Sequence, residues 1–273
     1  MALYQRVSDM GDARGHAGLG WMYMGGYGCF ADYDKAIQLF KLAADDANPN
    51  AIFALGYAAW MGRGTRHSVT KARKAFLGAM NRGVWVAEAY HAMAMAICEP
   101  QSPSRDADAQ RHIRHASATQ DPGAIYVHGL MVLRGLGGLR RNAAEALALF
   151  QNAARRGFRT AMFQVGVLYH VGIGLAKDLR QAERWYRMGA NMGSDNAETG
   201  LGRFILERNA GQKADEEAAT LLEHAAECDN IEANVLFAEL SEAGRGCDRN
   251  MGKAQRCRDR AERLKRQQAA MKL

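Results

Sequence analysis

The chain repeats itself every 36 or 37 residues, and this period restricts its possible folds more than any other feature. The marker is an anchoring residue followed by glycine or alanine, at Leu19-Gly20, Leu55-Gly56, His91-Ala92, His128-Gly129, Val165-Gly166, Leu201-Gly202 and Phe237-Ala238. One alanine stands four residues before most anchors, and another follows each anchor by 17 or 18 residues. Seven copies of one unit therefore fill nearly the whole chain.

Each unit is predicted to be two helices joined by a short turn. Five units carry paired glycines after the first helix, where a left-handed C-cap favours a residue without Cβ: Gly26/Gly28, Gly62/Gly64, Gly135/Gly137, Gly172/Gly174 and Gly244/Gly246. The second helix has N-cap side chains in the same register, at Asp32, Ser68, Asn142, Asp178 and Asn250. The third and sixth units lack most of the glycine turn.

The second helix of each unit also carries an apolar stripe. Its alanine and a bulky residue four positions later share one helix face, the bulky residues being Phe40, Phe76, Ile113, Phe150, Tyr186 and Leu222. A single hairpin cannot bury such a stripe, so the units must stack. The sequence thus predicts an all-α solenoid of about seven helix-turn-helix repeats.

The segment Ala161–Tyr186 carries the most complete version of the pattern. It reads Ala-x3-Val-Gly-x2-Tyr-x2-Gly-x-Gly-x3-Asp-x3-Ala-x2-Trp-Tyr and resembles the Sel-1-like repeat, a relative of the tetratricopeptide repeat. The resemblance extends from about Gly15 to about Ala261. It implies a right-handed α/α superhelix, often bacterial, that acts as a protein-interaction scaffold and holds ligands on a concave face formed by the first helices. Family members include adaptors, host-interaction factors and immunity proteins.

We expect three segments: an N-terminal half-repeat or capping helix at 1–14, seven repeats at 15–263 and a basic C-terminal tail at 264–273. Tyr4 lies 36 residues before Phe40, and Gly11 lies 36 before Ala47, so residues 2–11 resemble a second helix without its first. This segment is either a cap or the remainder of a longer chain.

The cysteine pattern and the lack of long apolar stretches bear on the compartment. No two of the five cysteines have Cys-x-x-Cys spacing, and this pattern predicts reduced thiols. No apolar stretch reaches the 18 residues that a membrane span needs. A secreted branch of the resembled family carries a cysteine pair in each repeat, which this chain does not match. We therefore expect a soluble cytoplasmic protein.

Motifs for catalysis or cofactor binding are missing from the sequence. It has no Walker-type loop, no His-Glu-x-x-His and no Gly-x-Ser-x-Gly, so we expect no catalytic residue, cofactor or metal. His112 and His115 have ligand-like spacing but lack a third ligand, and are interpreted as a polar helix surface. His91 and His128 occupy the anchor position of the third and fourth units. They are interpreted either as buried rings that are hydrogen-bonded to backbone carbonyls or as a pH-sensitive contact between the two units.

The net charge of +7 is unevenly distributed. Residues 194–243 carry 12 acidic and 3 basic side chains, whereas residues 244–273 carry 10 basic and 3 acidic ones. These bands are expected to attract each other and dock the last helix as a polar cap. Nucleic-acid binding by the tail is the alternative, although we do not expect nucleic acid as the partner.

The face of the first helices opposite the anchors is the predicted binding groove. Its residues are Trp21, Met24, Phe53, Tyr57, Trp60, Met61, Met93, Tyr126, Phe163, His170, Arg203, Glu239 and Glu242. The groove is predicted to be apolar in its N-terminal half and acidic in its C-terminal half. Packing between neighbouring repeats is the alternative explanation for each of these side chains.

These features predict a non-catalytic, monomeric scaffold or adaptor that holds a peptide or protein segment. An inhibitor or immunity-type binder is one form of this hypothesis. The alternative is a hydrolase of cell-wall or β-lactam type, a role associated with some members of the resembled family. That role needs a nucleophile and a base together in the groove, which the sequence does not identify.

Overall fold

A computed structural model describes residues 1–26, 29, 31–98, 102–209 and 211–270, and within these residues the chain is helical without a strand. The helices are α1 Ala2–Asp9, α2 Ala13–Gly25, α3 Tyr33–Asp45, α4 Pro49–Met61, α5 Val69–Met80, α6 Trp85–Cys98, α7 Pro103–Ala118, α8 Pro122–Arg134, α9 Ala143–Arg155, α10 Arg159–Val171, α11 Leu179–Asn191, α12 Asp195–Arg208, α13 Gln212–Glu227, α14 Ile231–Ala243 and α15 Met251–Ala270.

After α1, the described helices follow one another as seven pairs, which confirms the predicted helix-turn-helix repeats. The chain divides into two compact units, one of Met1–Leu149 together with the end of the chain from Gln268, and one of Phe150–Gln267. In the first unit, α2 packs on α3, α4 on α5 and α6 on α7, and each hairpin also contacts the next. In the second unit, α10 packs on α11, α12 on α13, and α11 and α13 contact the helices that follow them. Each unit is a stack of helical hairpins.

The second helices begin at the predicted N-cap side chains, and the first helices end at the predicted glycines. Asp32 accepts a backbone hydrogen bond from Lys35 at 2.9 Å, and Ser68, Asn142, Asp178 and Asn250 make equivalent bonds. The first helices end in left-handed glycines, such as Gly62 at φ 66° and Gly172 at φ 77°. The predicted Gly28 lies outside the described residues. In the sixth unit, where glycine is missing, Asn209 takes the left-handed cap at φ 47°.

The repeated small and bulky residues form the core. Every repeated alanine and all six bulky residues of the second helices are essentially inaccessible. The bulky side chain lies on the glycine that follows the anchor: a Cβ on Gly20 would come within 2.6 Å of the Phe40 ring, and one on Gly166 within 2.5 Å of the Tyr186 ring. The glycine is therefore needed for close packing of the two helices of a hairpin.

The two ends of the repeat array continue the same pattern. α1 packs on α2, and Gly11 has φ 76°, close to the 83° of Gly83 and the 71° of Gly193, which occupy the same place after second helices. At the other end, α15 runs without a break through residues 263 and 264 to Ala270. The tail predicted from residue 264 therefore starts inside a helix.

No helix within the described part of the chain combines the length and the apolar character needed to cross a bilayer.

Candidate functional site

The first unit presents a group of neighbouring aromatic rings on α2 and α4, which we call the aromatic face: Trp21, Phe53, Tyr57 and Trp60. All four side chains are partly exposed. The ring centroids of Trp21 and Tyr57 lie 5.8 Å apart, and those of Phe53 and Tyr57 lie 6.1 Å apart. These separations are in the range of favourable aromatic pairs, so Trp21, Phe53 and Tyr57 form one connected surface. Trp60 joins this surface through buried rings behind it.

Two buried rings support the aromatic face from behind. Phe76 is inaccessible and Tyr90 nearly so, and Trp60 lies 6.2 Å from the first and 6.3 Å from the second. Tyr57 meets Tyr90 edge-on at 5.7 Å. Burial raises the pKa of Tyr90 well above its usual value, so this hydroxyl stays neutral. The exposed rings are thereby packed against a fixed base.

Three of the predicted groove residues are not available to a ligand. Met24, Met93 and Tyr126 are 3%, 3% and 8% exposed, so their assignment to an open groove is wrong. Met24 packs in a core cluster with Ala36 and Phe40. The helical wheel that placed them outside describes one helix at a time, whereas Met24 is also covered by Ala54 and Ala58 of the next hairpin. Met61, in contrast, is 40% exposed, and it stands four residues after Tyr57 on the same side of α4, which places it at the edge of the aromatic face.

In the second unit, most of the predicted groove residues already contact other side chains of that unit. His170 contacts the Tyr186 hydroxyl at 3.3 Å and Glu207 at 3.0 Å. Arg203 pairs with Glu232, and Glu242 pairs with Arg258. Phe163 is partly buried beside Tyr186, and burial raises the pKa of that tyrosine to about 12. Glu239 is exposed and has no ion pair within the described residues. Internal pairing therefore offsets much of the predicted acidic character.

A buried carboxylate that the sequence analysis missed lies in the third repeat. Glu88 is 6% exposed, and its two oxygens lie 2.9 Å from His112 Nδ1 and 2.8 Å from His115 Nδ1. The interpretation of these two histidines as a plain polar surface was therefore wrong. They join the second helix of the repeat to a carboxylate on the first.

The sixth repeat contains a similar contact between a buried glutamate and a histidine. Glu198 is 6% exposed and lies 2.7 Å from His224 Nδ1. Glu88 and Glu198 each stand three residues before the anchor, while His115 and His224 each stand six after the second alanine. This shared register, in the two repeats that lack most of the glycine turn, is the sequence signal that could have found the pairs.

The His224 pair makes folding stability pH-dependent. The hydrogen bond to Glu198 raises the pKa of His224 above its ordinary value of 6.5. The charged ring therefore stabilises the fold below pH 6.5, and this contribution is lost as the pH rises through the raised pKa. We expect His224→Ala to cost more unfolding free energy at about pH 6 than at about pH 8.5, by less than about 1 kcal/mol because the ring is exposed.

Chemical denaturation at the two pH values would measure this effect, and a cost that grows with pH would contradict it. His128 supplies a control of opposite sign, since burial lowers its pKa. Its folded form binds protons less readily than its unfolded form, so it destabilises the fold as the pH falls below 6.5. We expect His128→Leu to reduce the acid sensitivity of the protein.

The two anchor histidines have different partners. His91 Nδ1 lies 3.4 Å from the Arg73 carbonyl, which confirms the expected backbone partner, and burial lowers the pKa of His91. His128 Nδ1 instead lies 3.0 Å from the Ser117 hydroxyl, so a carbonyl partner was the wrong expectation there. Within the described residues, no carboxylate is hydrogen-bonded to His128. This contact thus lacks the third group that orients the base in a catalytic triad.

No cluster of three or more histidine, cysteine or acidic side chains suited to a metal ion occurs within the described ranges.

The charge bands in the second unit meet as expected. From α15, Arg260 pairs with Asp229 at 2.7 Å, and Lys253 pairs with Glu223. Arg258 is the partner of Glu242 on α14. Each pair is partly exposed and contributes modestly, but together they set the position of α15 along its neighbours. The acidic band therefore docks the last helix, and part of the basic charge is neutralised within the chain.

The stacked hairpins define a helical-repeat protein of the solenoid class. Four segments match the Sel1 repeat, residues 13–48, 49–74, 122–158 and 160–194. The chain belongs to the Sel1 repeat family. The matched segments are the first, second, fourth and fifth repeats. The Glu–His pairs of the third and sixth repeats lie outside them.

Part of the chain is also similar to a curated protein. A curated relative, an uncharacterized protein of Neisseria meningitidis serogroup B, is 28% identical over 171 residues, and the match takes in 63% of this chain but 35% of that protein. The chain thus matches about a third of the relative's length.

Solved structures share the fold. A Sel1 repeat protein from Oxalobacter formigenes has a TM-score of 0.59 at 23% identity, over 96% of this chain and 75% of that one. An immunity protein from Pseudomonas aeruginosa has a TM-score of 0.53 at 17% identity, over 81% and 82%. The Sel1 repeat fold is generally a non-catalytic scaffold for protein interactions.

Proposed function

We propose that this protein is a non-catalytic binding scaffold whose aromatic face holds an apolar segment of another polypeptide. The observation that carries the proposal is the set of four partly exposed rings on α2 and α4. Three of them, Trp21, Phe53 and Tyr57, contact one another, and Phe53, Tyr57 and Trp60 rest on the buried Phe76 or Tyr90. Tryptophan and tyrosine dominate the energetics of protein interfaces because they bury a large area at a small entropic cost. Rings already fixed in place lose little further freedom on binding.

The partner suited to this face is a protein segment rich in apolar side chains. Met61 extends the apolar surface at its edge, and a thioether adapts to differently shaped partners. Neutralising a partner by occupying its surface is one form of this activity, and an inhibitor of the immunity type would work in that way. No nucleophile or metal is needed for it.

The test is to compare variants of the aromatic face in binding a partner captured from the native cell and then purified. We expect Tyr57→Ala and Trp60→Ala each to weaken binding at least tenfold, or about 1.4 kcal/mol, since each removes a central ring. Isothermal titration calorimetry with the full chain would measure the loss.

Trp85→Ala is the matched control. Trp85 is 45% exposed in the same unit but stands at the start of α6 beside His115, outside the aromatic face. Its replacement should leave the affinity within a factor of two or so of the original. Equal losses for Trp60→Ala and Trp85→Ala, or no loss for either, would refute the proposal. Hydrolysis of the partner that persists in both variants would point to the alternative enzyme class.

A further inference from the structure

The second unit contains a cleft of about 650 Å³ between α13, α14 and α15, and none of the predicted groove residues lines it. Its lining includes the ring of Phe237, the methyl group of Ala226 and the thiol of Cys257. Cys257 and Ala226 both pack in the core cluster that contains Phe237. The cleft therefore has an apolar floor of a size suited to one or two side chains of a ligand.

Two arginines on the rim of this cleft have no counter-ion among the residues that the structure describes. Arg256 and Arg263 line it from α15, both are exposed, and neither has an ion pair within the described residues. Their neighbours differ in this respect, because Lys253 and Arg260 are paired with Glu223 and Asp229. Seven residues separate the two free arginines, which places them on one helix face about 10 Å apart.

The oxygen of a buried amide in the cleft wall has no hydrogen-bond donor in the part of the chain that the structure describes. Asn234 is inaccessible, and its NH₂ group donates to the carbonyls of Ala226 and Asn230 at 2.9 Å each, which fixes the orientation of the amide. Its Oδ1 has no hydrogen-bond donor within the described residues. An unpaired buried acceptor costs about 1–3 kcal/mol. A ligand that brings an N–H group into the cleft would offset that cost if the wall relaxed slightly.

An apolar floor, two free guanidinium groups and an unsatisfied acceptor together describe the chemistry of the ligand. It carries an apolar side chain, carboxylates on either side of it and N–H donors, as an acidic peptide segment does. Arginine pairs well with carboxylates because its donors match both oxygens. A spacing of about 10 Å corresponds to two to four residues of extended chain.

Nucleic acid fits the cleft less well. Glu223, Glu227 and Asp259 line the same cleft and would repel a backbone with a charge on every nucleotide more than a peptide with two separated carboxylates. Phe237 is 1% exposed and so offers no face on which a base could stack. Side chains of both signs around an apolar floor suit a peptide better than a polyanion.

We propose that the cleft between α13, α14 and α15 is a second binding site, which takes an extended peptide segment with an apolar side chain flanked by two acidic residues. This site is distinct from the aromatic face, and the two do not depend on each other. The protein would then hold partners through two chemically different surfaces, one apolar and one selective for acidic segments.

The probe is a displayed library of random 12-residue peptides selected on the full chain, followed by synthesis of the enriched sequences. We expect enrichment of peptides with two acidic residues two to four positions apart and an apolar residue between them. Their affinity should fall at least tenfold in the variant that combines Arg256→Ala with Arg263→Ala. The charge-matched control combines Lys265→Ala with Arg266→Ala, two exposed residues of α15 outside the cleft lining, and should change affinity less than threefold.

The outcomes separate this site from the aromatic face. If every selected peptide depends on Tyr57 and Trp60 but not on Arg256 and Arg263, the cleft proposal fails while the proposed function stands. The cleft proposal also fails if the control variant loses as much affinity as the arginine variant. A 20-nucleotide oligothymidylate is the nucleic-acid probe. If it binds through Arg256 and Arg263 and no acidic peptide does, the cleft proposal is overturned in favour of nucleic acid.

Discussion

Phe76→Ala is expected to lower the free energy of unfolding by about 3–5 kcal/mol. The Phe76 ring is inaccessible and contacts the rings of Phe53, Trp60 and Tyr90, and it lies against Gly56 in the neighbouring helix. Alanine would remove the ring and leave a cavity lined by aromatic groups that cannot collapse fully. Urea denaturation followed by circular dichroism would measure the change.

The next residue provides the control for this substitution. Leu77 occupies the same helix but is 40% exposed, so Leu77→Ala should change the free energy of unfolding by about 0.5 kcal/mol or less. Similar costs for the two variants would mean that Phe76 does not lie in the core of the hairpin, which would contradict the repeat register. Phe76→Ala should also weaken partner binding, because the ring supports the aromatic face.

Gly166→Val is expected to destabilise the protein by roughly 3 kcal/mol, near the upper end of the range for overpacking. A Cβ at this position would lie 2.5 Å from two carbons of the Tyr186 ring, which is itself inaccessible. Valine adds two further carbons at this point, so α10 and α11 would have to separate. Thermal and chemical denaturation of the variant would measure the loss.

Gly252→Ala tests whether steric crowding, and not the loss of glycine itself, causes the loss of stability expected for Gly166→Val. Gly252 lies in the first turn of α15, and a Cβ there would meet its nearest neighbours, Asn250 and Arg256, at 3.5 and 3.6 Å. Alanine fits this site and favours helix, so stability should rise by up to about 1 kcal/mol. A gain for Gly166→Val, or equal losses at both sites, would contradict the packing account.

The sequence predicted the hairpins because each repeat places the same residue types at the same steric positions. Glycine faces a ring at Gly20 and Gly166, and side-chain oxygens begin the second helices at Asp32 and Asp178. These are local requirements of helix ends and close helix packing, so they are visible in the order of residues. Repetition in register made them distinguishable from chance.

The solvent exposure of the predicted groove side chains could not be predicted in the same way. Whether Met24 or Met93 is open depends on how adjacent hairpins stack, which a single-helix periodicity does not contain. Tyr57 and Trp60 satisfy the same periodicity and stay partly exposed. Likewise, the Glu88–His115 contact joins residues 27 positions apart, and only a comparison between the third and sixth repeats would have revealed it.

The central claim is that the aromatic face contacts the partner directly, and site-specific photocrosslinking tests it most directly. A photoreactive phenylalanine analogue would replace Met61, which is exposed at the edge of that face, or Trp85, which is exposed outside it. Irradiation of the complex followed by mass spectrometry would identify the linked residues. The account predicts a crosslink from position 61 to an apolar segment of the partner and none from position 85. A crosslink from position 85 alone would contradict it.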